Sequence, residues 1–146
     1  MFTTPDTAWS LDTGILVNAM ALDSPPQKRQ VALKLMAQLF CQPQGSLPGQ
    51  VLSEYLSVVS GKKLASPEFA LETVQLWSRL VVVLDASAAA HHRAWALAAA
   101  HKYPVWYAMT IAICAEHGIK TLYSEEVGSL ERPLGIWIIN PFAEIE

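Results

Sequence analysis

Two cysteines in 146 residues, Cys41 and Cys114, are too few and too isolated to make a disulfide framework. Each sits in an apolar helical context, so both read as buried free thiols, and a reducing, cytoplasmic compartment is expected. Charge is also scarce. Only 16% of residues are charged and the net charge is −3, so no global basic field advertises nucleic-acid binding, although a local patch would suffice. The longest apolar runs break well before the roughly 18–20 residues that a membrane span needs. The opening MFTTPDTAWSLDTG has no basic region followed by an apolar block, so neither a membrane segment nor a secretory signal is expected. Internal repeats and low-complexity segments are missing too. What is abundant is apolar side chain, 52% of a length suited to one core. The chain is expected to form a single domain over 1–146, with 1–8 as an N-terminal tail.

Taken in order, Trp9-Ser10-Leu11 reads as a short strand ending near Asp12, followed by the apolar helical segment Ile15–Ala21. Ser24 is expected to cap the next helix, with Pro25 at its first position and Gln27 completing a capping box. Ala32, Leu35, Met36, Leu39 and Phe40 give that helix one apolar face. Ser46-Leu47-Pro48 reads as a short strand. The segments 50–60 and 67–80 read as helices, the second carrying Ala70, Val74 and Trp77 inward. Val81–Leu84 has the look of a buried parallel strand, after which Asp85 is expected to cap an alanine-rich helix over Ala86–Lys102. Pro104 separates that helix from Val105–His117, which Gly118 ends. Lys120–Tyr123 and Gly135–Ile139 complete the strands. Alternation of this kind predicts an α/β fold, three layers α/β/α around a largely parallel sheet.

In open parallel sheets, ligands bind beyond the C-terminal ends of the strands. Asp12 and the pair Glu125-Glu126 fall at such ends. Glu54 lies at the border of an apolar helical face, where a carboxylate faces a polar cavity or pairs with a cation. Each acid alone reads as structural, but together they resemble a hard-cation site made of oxygen ligands. The histidines form no such set. His91 and His92 diverge by about 100° on a helix, and His101 and His117 suit helix C-termini. The five tryptophans read as core or dimer-interface residues.

Five local patterns in this order resemble the PIN-domain family, and within it the VapC-type toxin ribonucleases. They are Leu11-Asp12-Thr13-Gly14, Ser53-Glu54-Tyr55-Leu56, Trp106-Tyr107-Ala108, Leu122-Tyr123-Ser124-Glu125-Glu126 and Asn140-Pro141-Phe142. The resemblance spans nearly the whole chain. It implies an endoribonuclease dependent on Mg²⁺ or Mn²⁺, with Asp12, Glu54 and Glu126 as metal-binding and catalytic acids. Thr13, Ser124, Glu125, Tyr107 and Thr110 would support them. It also implies an RNA substrate, a VapB-like antitoxin partner and a homodimer formed through helices near Gln50–Leu80. Lys62, Lys63, Arg79 and Lys102 are surface charges that could touch phosphate.

Three positions depart from that pattern. Tyr107 stands where the family has its third acid, and a phenol is a poor ligand for a hard cation. Glu126 is one methylene longer than the usual Asp, and Gly14 replaces an Asn. Glu116 cannot stand in for the missing acid, since it falls on the opposite helix face, and Glu125 is expected to point away. Three carboxylates suit one ion rather than two, and the activity implied is reduced. The alternative is a catalytically inactive PIN-like module that binds RNA or a protein partner without cleavage. Asp12-Thr13-Gly14 also spells the aspartic-protease triplet, but that chemistry needs a second such aspartate in a β-rich fold. Asp85 after an apolar strand suggests a phospho-receiver, but Asp12 lacks the neighbouring acid and no Lys follows Ile139.

Overall fold

A computed structural model of the protein describes residues 6–145 apart from 127, 129 and 131. The elements in order are β1 (Trp9–Leu11), α1 (Thr13–Met20), α2 (Pro26–Cys41), β2 (Ser46–Pro48), α3 (Gly49–Gly61), α4 (Pro67–Leu80), β3 (Val82–Leu84), α5 (Ala88–His101), α6 (Val105–Glu116), β4 (Thr121–Tyr123) and β5 (Trp137–Ile139). A 3-10 turn over Pro133–Gly135 precedes β5. Within the expected tail, 1–5 lie outside the described residues. Residues 6–8 are exposed, yet the Ala8 carbonyl already accepts from Lys120 N at 2.8 Å.

All three strand pairings are parallel: β1 with β4, β4 with β5, and β2 with β3. Two ladders result, β1-β4-β5 and β2-β3. Ser10 Oγ at the middle of β1 donates to the Ser46 carbonyl of β2 at 2.8 Å and joins them across a seam without ladder pairing. Strand alternation sends side chains to two faces, and each face has its own core. Trp9, Leu11, Leu47 and Tyr123 pack beneath α1–α4, while Leu84, Leu122 and Ile136 pack beneath α5 and α6. This is the three-layer α/β/α arrangement the alternation predicts.

Helix α6 explains the later behaviour of Tyr107. Every residue from Tyr107 to Cys114 is buried, because a helix that is apolar all round has no face to give to water. Gly118, at φ +76°, then lets the chain turn into β4.

Several local expectations are corrected. Helix α2 starts one residue later than expected: Pro26 is its first residue, Pro25 takes the cap position, and no side chain caps the end, so neither Ser24 nor Gln27 acts there. Ser87, not Asp85, caps α5, accepting from Ala90 N at 3.1 Å. Strand β3 pairs on one side only, so Val82 and Val83 are exposed and the run Val81–Leu84 is an edge rather than a buried strand. Cys114 is buried but Cys41, in the last turn of α2, is exposed. Trp9 and Trp77 are core residues, while Trp95, Trp106 and Trp137 are exposed.

Candidate active site

Asp12 follows the last residue of β1 and caps α1. The pairing that aligns Leu11 with Tyr123 continues one step, with Asp12 N donating to the Tyr123 carbonyl at 2.9 Å. Asp12 Oδ1 accepts from Thr13 N at 2.8 Å, a bond to the first amide of α1 rather than to the second or third that a helix cap usually takes. Its other oxygen accepts from Ser124 Oγ at 2.7 Å. Burial pushes the Asp12 carboxyl above its usual range, and the Ser124 and Thr13 bonds offset only part of that.

Ser124 is fully buried at the end of β4, and its hydroxyl also accepts from Glu126 N at 3.0 Å. One hydroxyl thus sets both the aspartate and the turn that carries Glu126. Glu126 is exposed, yet partial desolvation, and then the Asp12 charge, hold its carboxyl above the usual range. Glu54 enters from α3, half-buried, raised first by desolvation and then by Asp12, with Glu126 adding a smaller push. Asp12, Glu54 and Glu126 line one cleft of about 230 Å³ with Tyr107 and Trp106, and no Lys, Arg or His is among its described lining residues. Their electrostatic coupling runs in one direction only, toward the neutral form.

Tyr107 also lines this cleft, the residue that the resemblance sets against the family's third acid. Its phenol is pushed up to about 12, chiefly by burial, with the Gly128 backbone giving back a little. Among the described residues the hydroxyl makes no hydrogen bond of normal geometry, and neither does the buried Thr13 Oγ1. Two unpartnered hydroxyls therefore border the acids. Among the described residues, no three His, Cys, Asp or Glu side chains converge closely enough to hold a metal ion as they stand.

The remaining expected residues have other partners. Glu125 lines the cleft with its carboxylate already engaged, accepting from Asn18 Nδ2 at 2.5 Å and from Lys28 Nζ at 2.9 Å. Its Oε1 lies 3.6 Å from where a Cβ on Gly14 would be, an ordinary contact, so the carboxylate does not itself require glycine there. Thr110 is fully buried and donates to the Trp106 carbonyl at 3.1 Å. It reaches the site only through Gln50, whose Nε2 donates to Thr110 Oγ1 (3.1 Å), the Trp106 carbonyl (2.5 Å) and Glu54 Oε1 (3.2 Å). Glu116 does point elsewhere, bonding Ser87 at the far end of α6.

Gln50, Asn18 and Lys28 went unread in the sequence. Gln50 is one turn before Glu54, and the spacing i, i+4 was a signal for it. Asn18 and Lys28 meet Glu125 across about a hundred residues of chain, which no local pattern encodes.

No curated protein sequence matches this chain, but solved structures do. VapC20 of Mycobacterium tuberculosis, described as a sarcin-ricin loop cleaving toxin, superposes with a TM-score of 0.67 at 20% identity, covering 82% of this chain and 90% of that one. VapBC2 of Rickettsia felis, solved on a promoter DNA fragment, gives 0.66 at 16% identity over 91% and 98%. A toxin–antitoxin complex from Klebsiella pneumoniae gives 0.61 at 15% over 92% and 98%. At such identities the likeness is one of fold. A family model described as PIN domain matches residues 10–127, from inside β1 to just past Glu126, and the chain belongs to that family.

Proposed function

We propose that the protein is a VapC-like, metal-dependent endoribonuclease that hydrolyses RNA phosphodiester bonds, with Asp12, Glu54 and Glu126 as its acids. The observation that carries this reading is four carboxylates lining one cleft at the C-terminal end of the sheet, Asp12, Glu54 and Glu126 beside the Lys28-paired Glu125, without a cation among the described lining residues. Acids so arranged cannot all be comfortably ionised, as their raised proton affinities record, and a divalent cation relieves that cost.

The donor set fits a hard ion. It is all oxygen, and the unpartnered Thr13 Oγ1 lies beside Asp12. One Mg²⁺ or Mn²⁺ held by one or two carboxylates and several waters suits this cleft better than a pair of ions, because Mg²⁺ keeps most of its waters. Asp12 would hold the ion, with Glu54 and Glu126 closing on it from α3 and from the turn after β4. Once bound, such an ion polarises a phosphoryl oxygen and lowers the pKa of a water. Asp12 is kept in orientation by Ser124 and Thr13. Glu54, steadied by Gln50, orients the attacking water and accepts its proton. Tyr107, neutral and unable to carry charge, weakens the site relative to one with four acids. The protein also takes a VapB-like antitoxin as partner, whose basic side chains would pair with the cleft acids, and it forms a homodimer through α3 and α4.

The buried phenol of Tyr107 favours a second reading, a PIN module that binds RNA or the antitoxin without cutting. Cleavage of structured RNAs in Mg²⁺ or Mn²⁺ by wild type, Asp12→Asn and Tyr107→Asp separates the two. The ribonuclease reading expects wild-type cleavage that Asp12→Asn abolishes. Activity in Tyr107→Asp alone would instead establish the non-cutting module, and wild-type cleavage that survives Asp12→Asn would overturn the site.

A further inference from the structure

Four of the five tryptophans are covered by another ring or a cation. Trp9 meets Tyr123 edge-on at 5.5 Å, and Trp77 meets Tyr55 at 4.8 Å. Trp95 lies against His92 at 5.0 Å, and Trp137 beneath Arg132 at 4.4 Å. Among the described residues Trp106 has no such partner, and at 63% exposed it is the most open of the five. An indole left bare costs solvation, and its position gives the reason to look for a ligand.

Trp106 borders two cavities at once. One is the acid cleft; the other is a groove of about 400 Å³ along α3, lined also by Gln50, Ser53, Glu54, Ser57 and Val58. Its backbone is anchored, because the carbonyl accepts from both Gln50 and Thr110. The ring therefore stands on a fixed first turn of α6. On the far side of the acids, Tyr107 and Glu126 are shared with a third cavity of about 380 Å³, which carries Lys102 and His101. The three cavities share lining residues, Glu54 and Trp106 between the first two and Pro104, Tyr107 and Glu126 between the cleft and the third. They so make one path that carries the Ser53 and Ser57 hydroxyls at the α3 end, the acids in the middle and Lys102 at the α5–α6 turn.

We propose that this path holds a single strand of RNA, with the base next to the reacting phosphate stacked on Trp106 and the backbone beyond the acids running past Lys102. The proposal deepens the ribonuclease reading and rests on it for the place of the reacting phosphate. A single strand is required, since only an unpaired base can turn its face to an indole. Stacking on an aromatic face tolerates any base, so Trp106 would set the position of the cut rather than its sequence. Ser53 and Ser57 then offer hydroxyls to the ribose or base edge on the α3 side.

The test is a fluorescence titration of the full chain carrying Asp12→Asn, which removes cleavage and keeps a good cap on α1. Short single-stranded oligoribonucleotides, the matching duplex and a lysine- and arginine-rich peptide serve as probes. Single strands are expected to quench the protein's emission, and Trp106→Ala to remove that quench and weaken binding roughly 10- to 100-fold, the span carried by one stacked base. Trp106→Phe should recover most of the affinity, and Trp95→Ala should change nothing. In the cleaving protein, Trp106→Ala should raise KM for single-stranded substrate more than it lowers kcat. Asp12-dependent cleavage with unchanged affinity and KM in Trp106→Ala would overturn the stacking role and leave the nuclease standing. Trp106-dependent RNA binding without any cleavage would keep the stacking role and overturn the nuclease. A quench by the basic peptide alone would make Trp106 a protein-partner anchor, and no RNA binding by any form would overturn both readings.

Discussion

Ser124 holds Asp12 and Glu126 on a single hydroxyl, donating to Asp12 Oδ2 at 2.7 Å while accepting from Glu126 N at 3.0 Å. Ser124→Ala would leave a buried carboxylate oxygen without its donor, at a cost of about 1–3 kcal/mol. Losing that bond also removes one of the two contacts that restrain the rise of the Asp12 pKa. We expect a lower urea midpoint and an acid limb of the pH–rate profile moved to higher pH. An unchanged acid limb would remove Asp12 from the reaction.

The cleft acids make stability depend on pH in an unusual sense. Asp12, Glu54 and Glu126 all bind protons more tightly folded than unfolded. Their contribution is complete below the ordinary values of 3.8 for Asp and 4.5 for Glu, and is lost as pH rises through the raised folded values. In chelator, stability should fall from mildly acidic to neutral pH, and less so in Asp12→Asn. At neutral pH, Mn²⁺ or Mg²⁺ at ten times its Kd should return about 1.4 kcal/mol. Thermal melts with and without the ion check both statements, and an equal ion effect in Asp12→Asn would place the ion elsewhere.

Lys28 and Asn18 both bond the Glu125 carboxylate, which shares the cleft with the other acids. Lys28→Met removes one of these ties. The loss of this mostly covered ion pair should cost about 1 kcal/mol, while a looser Glu125 frees a carboxylate already in the cleft lining for the ion. Calorimetric titration should therefore show Mn²⁺ bound several-fold more tightly in Lys28→Met. Weaker binding would mean that Glu125 serves the site from where it is.

Tyr107 carries a buried hydroxyl with no well-formed hydrogen bond. Tyr107→Phe keeps the ring and its packing against Tyr103 at 5.3 Å, and discards an unpaid desolvation. It should be neutral or more stable by up to about 1 kcal/mol, with cleavage unaltered. Tyr107→Asp should be less stable, since it exchanges a packed ring for a buried charge, yet more active in divalent ion. Activity lost in Tyr107→Phe would mean that the phenol touches the reacting groups.

The alternation of elements and the positions of Asp12, Glu54 and Glu126 were legible because each rests on local grammar: a strand, a turn, an apolar period. Ser87 displaced Asp85 as a cap because two candidate caps lay within three residues, and only the path of β3 chooses between them. Val82 and Val83 read as buried because apolar β-branched runs usually are; the sequence does not say on which side a strand finds a neighbour. The tie from Lys28 to Glu125 joins distant segments, and the uncharged amide of Gln50 carries no local pattern that separates a bond to Glu54 from solvent exposure. What escaped was partner choice. The carboxylates and Ser124 were visible, while the ties of Gln50, Asn18 and Lys28 were not.

The seam between the two ladders has a mechanical consequence. Asp12 and Glu126 ride on β1 and β4, within one ladder, whereas Glu54 and Gln50 ride on α3, which leaves the other ladder at Pro48. The cleft therefore straddles the one strand boundary bridged by a serine side chain instead of a backbone ladder. The gap between Asp12 and Glu54 is therefore set by side chains, the Ser10 bond and the shared packing of Trp9, Leu11, Leu47 and Val51, and by no strand pairing.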